Sequence, residues 1–207
     1  MKLEFGSLPL DWIIATKNFG KFREISSGLQ GLGLRLRALS EFPDILDVDE
    51  NQESFEGNAR IKASSVVERL KLPVIADDSG LVVKALGGQP GVRSARYAGP
   101  KASDQENLEK LLKAMERVPA GQREAAYVCV LVIGLPSGKE WIIREECWGE
   151  IAFRPKGSGG FGYDPIFFIP ETQKTMAELS IKQKNTISHR GKAIQKLREL
   201  FGCGAVG

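Results

Sequence analysis

A glycine-rich segment that ends in an aromatic ring and a carboxylate is the part of the chain best suited to bind a ligand. Residues 157–165 have the sequence GSGGFGYDP and combine four glycines with Phe161, Tyr163 and Asp164. Glycine allows backbone conformations that other residues avoid, and an aromatic ring offers a flat apolar face. We therefore expect this segment to hold a flat ligand with polar edges, such as a nucleobase.

The spacing of Gly157, Gly159 and Gly162 matches the pattern G-x-G-x-x-G of dinucleotide-binding loops. That pattern requires a helix directly after the glycines. Residues 163–168 instead predict a strand, and the chain has neither a Walker loop nor the other kinase motifs. The glycines therefore do not predict a dinucleotide site, a kinase or a P-loop enzyme.

An acidic pair, Asp77-Asp78, follows the apolar run Val74-Ile75-Ala76. This order places both carboxylates at the carboxyl end of a strand, where open α/β sheets bind ligands. An acidic pair before a glycine is also common in solvated turns. The next apolar run, residues 81–83, favours a buried pair of strands, in which two carboxylates need a metal ion or cations nearby. Mg²⁺ prefers oxygen ligands, and Glu50 or Asp49 could complete its protein shell.

Cationic donors occur in two other places. A predicted strand at residues 10–15 leads through Thr16 into a helix that we expect to begin near Phe22. The free N–H groups at the start of a helix bind anions. Lys21 adds a full positive charge there. The single histidine, His189, precedes Arg190 at the start of the last predicted helix. A lone histidine is more often structural, but with Arg190 and Lys184 it can form a cluster of donors.

The elements that must position these residues alternate along the chain. Ser103 and Glu106 have the spacing of a capping box and predict the start of one helix. Helices and strands alternate early and a hairpin comes late, so we expect an α/β fold with a mixed sheet. The predicted strands are residues 10–15, 32–38, 74–76, 125–135, 140–148 and 166–169, and the predicted helices are residues 22–29, 54–70, 103–115 and 190–200.

The bulk composition is that of a globular protein with one domain over residues 1–207, in which 42% of residues are hydrophobic and 27% are charged. The net charge of +3 is spread along the chain, which argues against coating of nucleic acid. Cys129, Cys147 and Cys203 are odd in number and have no C-x-x-C spacing, so we expect a reducing compartment. Without a signal peptide or an apolar run of about 20 residues, we expect a cytoplasmic protein that does not bind membranes.

Six motifs occur in an order that resembles the inosine triphosphate pyrophosphatase family, the XTP/dITP diphosphatases that remove noncanonical purine nucleotides. The resemblance runs from about residue 13 to residue 200, leaving residues 1–9 as an N-terminal extension and residues 202–207 as a tail. The motifs are Thr16-Lys17-Asn18 with Lys21, Ser54-Phe55 with Asn58-Ala59 and Lys62-Ala63, residues 76–81 (ADDSGL), 90–97 (PGVRSARY), 159–165 (GGFGYDP) and 187–191 (ISHRG).

The resemblance implies an elongated α/β fold with two lobes, a long central mixed sheet and an active-site cleft between the lobes. It also implies a homodimer and a Mg²⁺-dependent hydrolase that converts ITP, dITP or XTP to the monophosphate and pyrophosphate, which keeps these nucleotides out of DNA and RNA. The expected partner is therefore a small purine nucleoside triphosphate, with no nucleic acid and no membrane.

Each site residue is assigned through its motif. By resemblance, Asp78 is the general base and a metal ligand, Glu50 is the second acidic ligand, and Asp77 lies close to the metal. The chain departs from the family pattern in two places. Residues 49–53 carry three carboxylates, Asp49, Glu50 and Glu53, and lack the glycine typical of the family there. After Thr16, Lys17 stands where the family has a small residue. The residues expected to hold the phosphates and sugar are Thr16, Lys17, Asn18, Phe19, Gly20, Lys21, Lys62, Ser79 and Lys184; those expected to hold the base are Phe161, Gly162, Tyr163, Asp164, His189 and Arg190.

Selectivity follows from the edges of the base. Hypoxanthine and xanthine present an acceptor at O6 and adenine presents an amine, so donors from His189 or Arg190 favour the first two. Guanine shares the O6 acceptor, and its rejection must arise at C2.

Two other classes of protein remain open from the residues alone. One is a phosphate-binding regulatory or RNA-associated module in which Phe161 and Tyr163 stack on bases, which has no need for the Asp77-Asp78 pair. The other is a Mg²⁺-dependent nucleotidyl or phosphoryl transferase, which needs an acceptor site that the sequence does not indicate.

Overall fold

A computed structural model describes residues 10–45 and 50–202 of the chain. The predicted extension at residues 1–9, Asp49, and residues 203–207 of the predicted tail, which include Cys203, lie outside the described residues. Within the described ranges the protein has the α/β architecture expected from the sequence. The strands are β1 (Asp11–Ala15), β2 (Arg35–Ala38), β3 (Val74–Val83), β4 (Glu124–Gly134), β5 (Glu140–Ile151), β6 (Phe167–Ile169) and β7 (Lys174–Thr175), and the helices are α1 (Phe19–Gly28), α2 (Phe55–Leu70), α3 (Asp104–Ala114), α4 (Ile181–Ile187) and α5 (His189–Leu200).

The strands form one mixed sheet in the order β2-β1-β3-β4-β5-β6-β7. Strand β1 runs parallel to both β2 and β3, with Ile14 opposite Ala38 on one side and Ile75 on the other. Strands β5, β6 and β7 pair in antiparallel fashion. The prediction of a mixed-sheet α/β fold is therefore confirmed.

The chain divides into two compact units. Unit 1 contains the described residues of 1–78, 129–145 and 190–207, and unit 2 contains residues 79–128 and 146–189. Strands β3, β4 and β5 each have residues in both units. That residues 1–207 act as one domain stays a prediction.

Each unit has an apolar core of its own. In unit 1, Trp12 of β1 packs its ring edge-to-face against Phe201, with the ring centroids 5.2 Å apart, among aliphatic residues of β3, β4 and α5. In unit 2, Leu108 and Leu111 of α3 pack with Tyr163 and Phe167. Burial of these side chains is the main force that holds each unit together.

The prediction that Asp77-Asp78 lies at the end of a short strand was wrong. Strand β3 continues without a turn from Val74 to Val83, so both carboxylates lie inside it. The strand continues because cationic side chains contact both carboxylates where they are buried, as described below, and the apolar residues that follow are buried as well. A solvated turn at this point is excluded.

The segment after the glycines also differs from the prediction of a strand over residues 163–168. Asp164–Ile166 form a 3-10 turn, and β6 begins only at Phe167. Pro165 explains the difference, because proline suits the first turn of a helix and lacks the N–H that a sheet requires.

One helix, α1, begins earlier than expected, and another, α4, was not predicted. Helix α1 begins at Phe19 because the side chain of Asn18 accepts a hydrogen bond from the N–H of Lys21 (3.0 Å) and caps the helix. Helix α4 was not predicted, although Ser180 and Gln183 form a capping box at its start. The predicted capping box of α3, Ser103 with Glu106, is confirmed. None of the helices in the described part of the chain is long and apolar enough to cross a membrane.

Candidate active site

The predicted phosphate-binding segment, residues 16–21, forms the start of α1 in unit 1. The N–H of Asn18 donates a hydrogen bond to Oγ1 of Thr16 (3.2 Å). Lys17 and Phe19 are exposed, with 71% of Phe19 accessible to solvent, and Gly20 is partly buried. The Asn18 side chain already binds one of the N–H groups expected to meet an anion, that of Lys21.

Asp77 belongs to a cluster of four charged side chains. We call Lys21, Glu24, Asp77 and Arg190 the Asp77 cluster. The ammonium of Lys21 lies 2.6 Å from Oδ1 of Asp77, and Nε of Arg190 donates to Oδ2 (3.0 Å). Nη1 of Arg190 donates to Oε2 of Glu24 (2.6 Å), one turn further along α1 from Lys21. The cluster therefore links α1, β3 and α5 through alternating charges.

Asp77 and Arg190 of the cluster are buried, and Lys21 and Glu24 are partly buried, so the charges act on each other strongly. Asp77 is inaccessible to solvent and Arg190 is 2% exposed. Burial lowers the pKa of Arg190, but Asp77 and Glu24 outweigh it and the net pKa is raised, so the guanidinium stays charged. The thiol of Cys129 also donates to Oδ2 of Asp77 (3.5 Å), and burial raises the pKa of this thiol well above its ordinary value.

Asp78 has a different environment from its neighbour. Its Oδ1 lies 3.3 Å from the ammonium of Lys62, and its Oδ2 accepts a hydrogen bond from the amide of Asn58 (3.2 Å). The same ammonium donates to the carbonyl oxygen of Asp77 (2.7 Å) and lies 3.4 Å from Oε1 of Glu50. Lys62 and Asn58 are both on α2, so this helix positions the carboxylate.

Burial raises the pKa of Asp78 above its ordinary value. Loss of solvation is the largest cause; Lys62 and Lys21 lower the pKa, while Glu50 and Asp77 raise it. A carboxylate with a raised pKa accepts a proton more readily than a solvated one, which suits a general base.

Asp78 and Glu50 are the described carboxylates that could hold a magnesium ion. Both lie within ionic reach of the same ammonium, that of Lys62. Among the residues that the structure describes, no group of three or more histidine, cysteine or acidic side chains could hold a metal. Two carboxylates are enough for Mg²⁺, which commonly takes one or two from the protein and the rest of its oxygens from water and phosphates. Of the other acidic residues predicted there, Glu53 is exposed and Asp49 lies outside the described residues.

The candidate base-binding residues of unit 2 are arranged around Asp164. This carboxylate is 3% exposed, and its Oδ2 accepts from Nζ of Lys184 (2.7 Å) and from the N–H of Phe161 (3.0 Å). The ammonium of Lys184 also lies 4.8 Å from the centroid of the Phe161 ring. Asp164 therefore holds the glycine segment and α4 together.

Gly160 is required by this arrangement. A Cβ atom at this position would lie 1.9 Å from Oδ2 of Asp164, and the backbone has a φ of +74°. A second contact holds the glycine segment at Gly162, whose N–H donates to the carboxylate of Asp104 at the start of α3 (2.8 Å).

Tyr163, His189 and Ser79 occupy different positions in unit 2. Tyr163 is buried, its hydroxyl donates to the carbonyl of Ser94 (2.8 Å), and burial raises its pKa. The imidazole of His189 stacks on the ring of Tyr127, with centroids 4.7 Å apart and planes 9° apart. Ser79 is partly buried in β3, directly after Asp78.

The sequence-predicted residues therefore form two groups. Lys21, Lys62, Asp77, Asp78, Glu50 and Arg190 come together in unit 1, and Phe161, Asp164 and Lys184 come together in unit 2. Asn18 caps the helix that carries Lys21, Gly162 bonds to Asp104, Tyr163 bonds to Ser94 and His189 stacks on Tyr127. The other predicted residues adjoin the first group along the chain: Thr16, Lys17, Phe19 and Gly20 precede Lys21, and Ser79 follows Asp78.

Five residues that contact predicted site residues were not themselves predicted to act in the site. Glu24, Asn58 and Cys129 contact the charged groups of unit 1, Tyr127 contacts Asp164, and Asp104 accepts from the N–H of Gly162. Asn58 belonged to a recognised motif and Glu24 lies three residues after Lys21, so both gave a local signal. Tyr127 gave none, because it lies in the apolar run of β4.

An α/β sheet protein with buried carboxylates beside lysines in one unit and a glycine segment with aromatic and cationic side chains in the other belongs to the class of nucleotide-phosphate enzymes. A family model described as the Ham1 family matches residues 12–200. The chain is 51% identical over 187 residues to a dITP/XTP pyrophosphatase of Geobacillus kaustophilus, which covers 90% of this chain and 92% of that protein. It is 48% identical over 190 residues to one of Geobacter sulfurreducens, covering 92% and 96%.

Solved structures of Ham1 proteins are similar to this chain. A HAM1 protein from Coxiella burnetii superimposes with a TM-score of 0.85 at 39% identity, covering 94% of this chain and 99% of that one. The Staphylococcus aureus Ham1 protein gives a TM-score of 0.83 at 41% identity, covering 93% and 98%. The chain belongs to the Ham1 family, and the resemblance stated from its motifs is confirmed.

Proposed function

We propose that the protein hydrolyses noncanonical purine nucleoside triphosphates, namely ITP, dITP and XTP, to the monophosphate and pyrophosphate. The observation that carries the proposal is the pair Asp78 and Lys62, a buried carboxylate with a raised pKa beside an ammonium. The names of the relatives, dITP/XTP pyrophosphatases, support the substrate class.

Asp78 acts as the general base in this proposal. It draws a proton from a water molecule as the water attacks the α-phosphorus, and burial raises its pKa above that of an ordinary aspartate in the metal-free protein. Asn58, which binds Oδ2, fixes the orientation of the carboxylate. Loss of the contact with Asn58 should therefore lower turnover.

Asp78 and Glu50 hold the magnesium ion in this proposal. Bound Mg²⁺ supplies positive charge that polarises the phosphoryl oxygens and stabilises the leaving pyrophosphate. Asp77 is a weaker candidate ligand, because both of its carboxylate oxygens contact cations of the protein. Lys62 and Lys21 add charge that offsets the charge developing on the pyrophosphate.

Recognition of the base falls to unit 2. His189 donates to O6 of hypoxanthine or xanthine, and Phe161 offers its face to the ring, held by Asp164 and Lys184. Adenine would bring its amine to the same donor and leave both groups unpaired, which penalises it. That Arg190 contacts the base stays a prediction; its Nε and Nη1 bind carboxylates of unit 1.

The test is a product analysis with several nucleotides. The protein is incubated with ITP, dITP, XTP, ATP or GTP and Mg²⁺, and monophosphate, diphosphate, pyrophosphate and orthophosphate are resolved. We expect monophosphate and pyrophosphate in equal amounts from ITP, dITP and XTP, little from ATP, and none when Mg²⁺ is chelated. Orthophosphate with diphosphate would mean attack at the γ-phosphorus, and no product from any nucleotide would support a binding module instead.

The setting of the reaction is part of the same proposal. We expect a homodimer in the cytoplasm that removes deaminated nucleotides before polymerases can use them. Sedimentation of the purified protein tests the oligomeric state.

A further inference from the structure

Tyr127 of β4 contacts two candidate base-binding residues. Its hydroxyl donates a hydrogen bond to Oδ1 of Asp164 (3.1 Å), and its ring stacks on the imidazole of His189. Its other neighbour is Phe167 of β6, whose ring centroid is 4.5 Å away at an interplanar angle of 44°. Tyr127 is 7% exposed and stands on a strand, so it is held on several sides.

The stack determines the plane of the imidazole. With rings 9° from parallel and 4.7 Å apart, His189 cannot rotate about its Cβ–Cγ bond without losing this contact, and it is itself only 5% exposed. The directions of its N–H groups follow from that plane. A donor that distinguishes an O6 acceptor from an amine depends on such a direction.

The hydroxyl of Tyr127 contacts the second of these two residues, Asp164. Oδ1 of Asp164 is bound by Tyr127 while Oδ2 is bound by Lys184 and by the N–H of Phe161. The carboxylate therefore contacts Tyr127 with one oxygen and the glycine segment with the other. One residue thus connects the histidine with the segment that carries the Phe161 ring.

We propose that Tyr127 is a positioning residue for purine selectivity, whose ring sets the plane of His189 and whose hydroxyl sets the orientation of Asp164. This inference rests on the proposed function and adds a specificity determinant to it. Tyr127 acts through these two side chains and takes no part in proton transfer.

The kinetic test compares two substitutions. Tyr127→Phe keeps the ring and removes the hydroxyl, and Tyr127→Leu removes both. We expect kcat/KM for ITP to fall about tenfold in Tyr127→Phe and about a hundredfold in Tyr127→Leu, mostly through KM, with the slow ATP reaction unchanged. Tyr97→Phe is the matched control, since it removes a partly exposed hydroxyl of unit 2 that lies 3.4 Å from Gln89, and we expect wild-type selectivity.

The second measurement does not depend on turnover. Because His189 is the only histidine of the chain, NMR of the imidazole gives a single residue's signals. The ring current of Tyr127 should shift these signals in the wild type and in Tyr127→Phe, and the shift should be lost in Tyr127→Leu. Addition of IMP should move the signals in the wild type.

The outcomes separate the two proposals. A wild-type protein that releases no pyrophosphate from ITP contradicts the proposed function, while the imidazole spectra still test the stack. A wild type that cleaves ITP, with Tyr127→Leu retaining both the ITP-to-ATP preference and the imidazole shifts, overturns the role of Tyr127. If Tyr127→Leu does not fold, Tyr127→Phe decides, and unchanged KM for ITP in that variant contradicts the role of the hydroxyl.

Discussion

The ammonium of Lys62 lies 3.3 Å from Oδ1 of Asp78, yet the pKa of Asp78 is raised. An adjacent cation alone would lower the pKa of a carboxylate, so loss of solvation outweighs the ion pair here. The pair is therefore arranged to make Asp78 more basic while a cation stays beside it. That combination is expected of a group that accepts a proton during a reaction.

Asp78→Asn should remove most of the activity without unfolding the protein. The amide has nearly the shape of the carboxylate but cannot accept a proton, so we expect kcat for ITP to fall by at least about a hundredfold. Pyrophosphate release measured at saturating ITP and Mg²⁺ gives the value, and far-UV circular dichroism checks the fold. Glu53→Gln, an exposed acidic residue nearby, is the control with expected wild-type rates. Near-normal turnover in Asp78→Asn would refute its role as base.

The same substitution should stabilise the metal-free protein at neutral pH. A carboxylate whose pKa is raised by folding binds protons more tightly in the native state, so its contribution lowers stability as pH rises from its ordinary pKa through the raised value. Asp78→Asn lacks this effect. Its free energy of unfolding should exceed that of the wild type at pH 7 and approach it as pH falls to the ordinary range of aspartate. Denaturant unfolding in chelator at several pH values measures the gap, and a gap that does not change with pH would contradict the assignment.

Asp77→Asn should destabilise the protein strongly. The substitution leaves the buried Arg190 and the partly buried Lys21 without the charge between them, and breaking a buried pair in this way costs roughly 3–5 kcal/mol. Asp11→Asn makes the same chemical change in an exposed pair with Arg35 and should cost less than about 1 kcal/mol. Urea unfolding of both variants makes the comparison. Equal losses in the two would show that the Asp77 cluster does not hold α1, β3 and α5 together.

Gly160→Ala should impair recognition of the base in addition to lowering stability. Its Cβ would collide with the carboxylate of Asp164, which must then leave Phe161 or Lys184. Gly138→Ala is a matched control, because Gly138 has a similar φ of +82° with nothing within 4 Å of its Cβ. Both should lose about 1 kcal/mol of stability from the positive φ. Only Gly160→Ala should raise KM for ITP, by about tenfold or more on the scale of a lost charged hydrogen bond; an equal KM in the two variants would contradict this role of Gly160.

The fold was largely predictable because its patterns are local. The capping box at Ser103 marked the start of α3, the helix predicted over residues 54–70 matches α2, and the apolar runs marked β4 and β5. Local patterns failed at Asp77-Asp78, where the residues predicted the end of a short strand, whereas polar side chains supplied by distant segments contact both carboxylates and allow the strand to continue. They failed again at Pro165, where the apolar residues masked a 3-10 turn.

The site was predictable in its parts and not in its connections. The motif residues Asp78, Lys62 and Asp164 could be named from the sequence. The contact of Arg190 with Asp77, 113 positions away, and that of Tyr127 with Asp164 depend on packing of elements far apart in the chain. No spacing in the sequence encodes them.

The Asp77 cluster has a consequence for how an anionic substrate approaches. Its two cations and two carboxylates sum to zero charge, so Lys21 and Arg190 add little to the long-range field that draws a polyanion through solvent. Capture of a triphosphate must then depend on lysines outside the cluster, such as the exposed Lys17. The encounter rate would respond to ionic strength through those side chains, while the neutral cluster keeps its geometry.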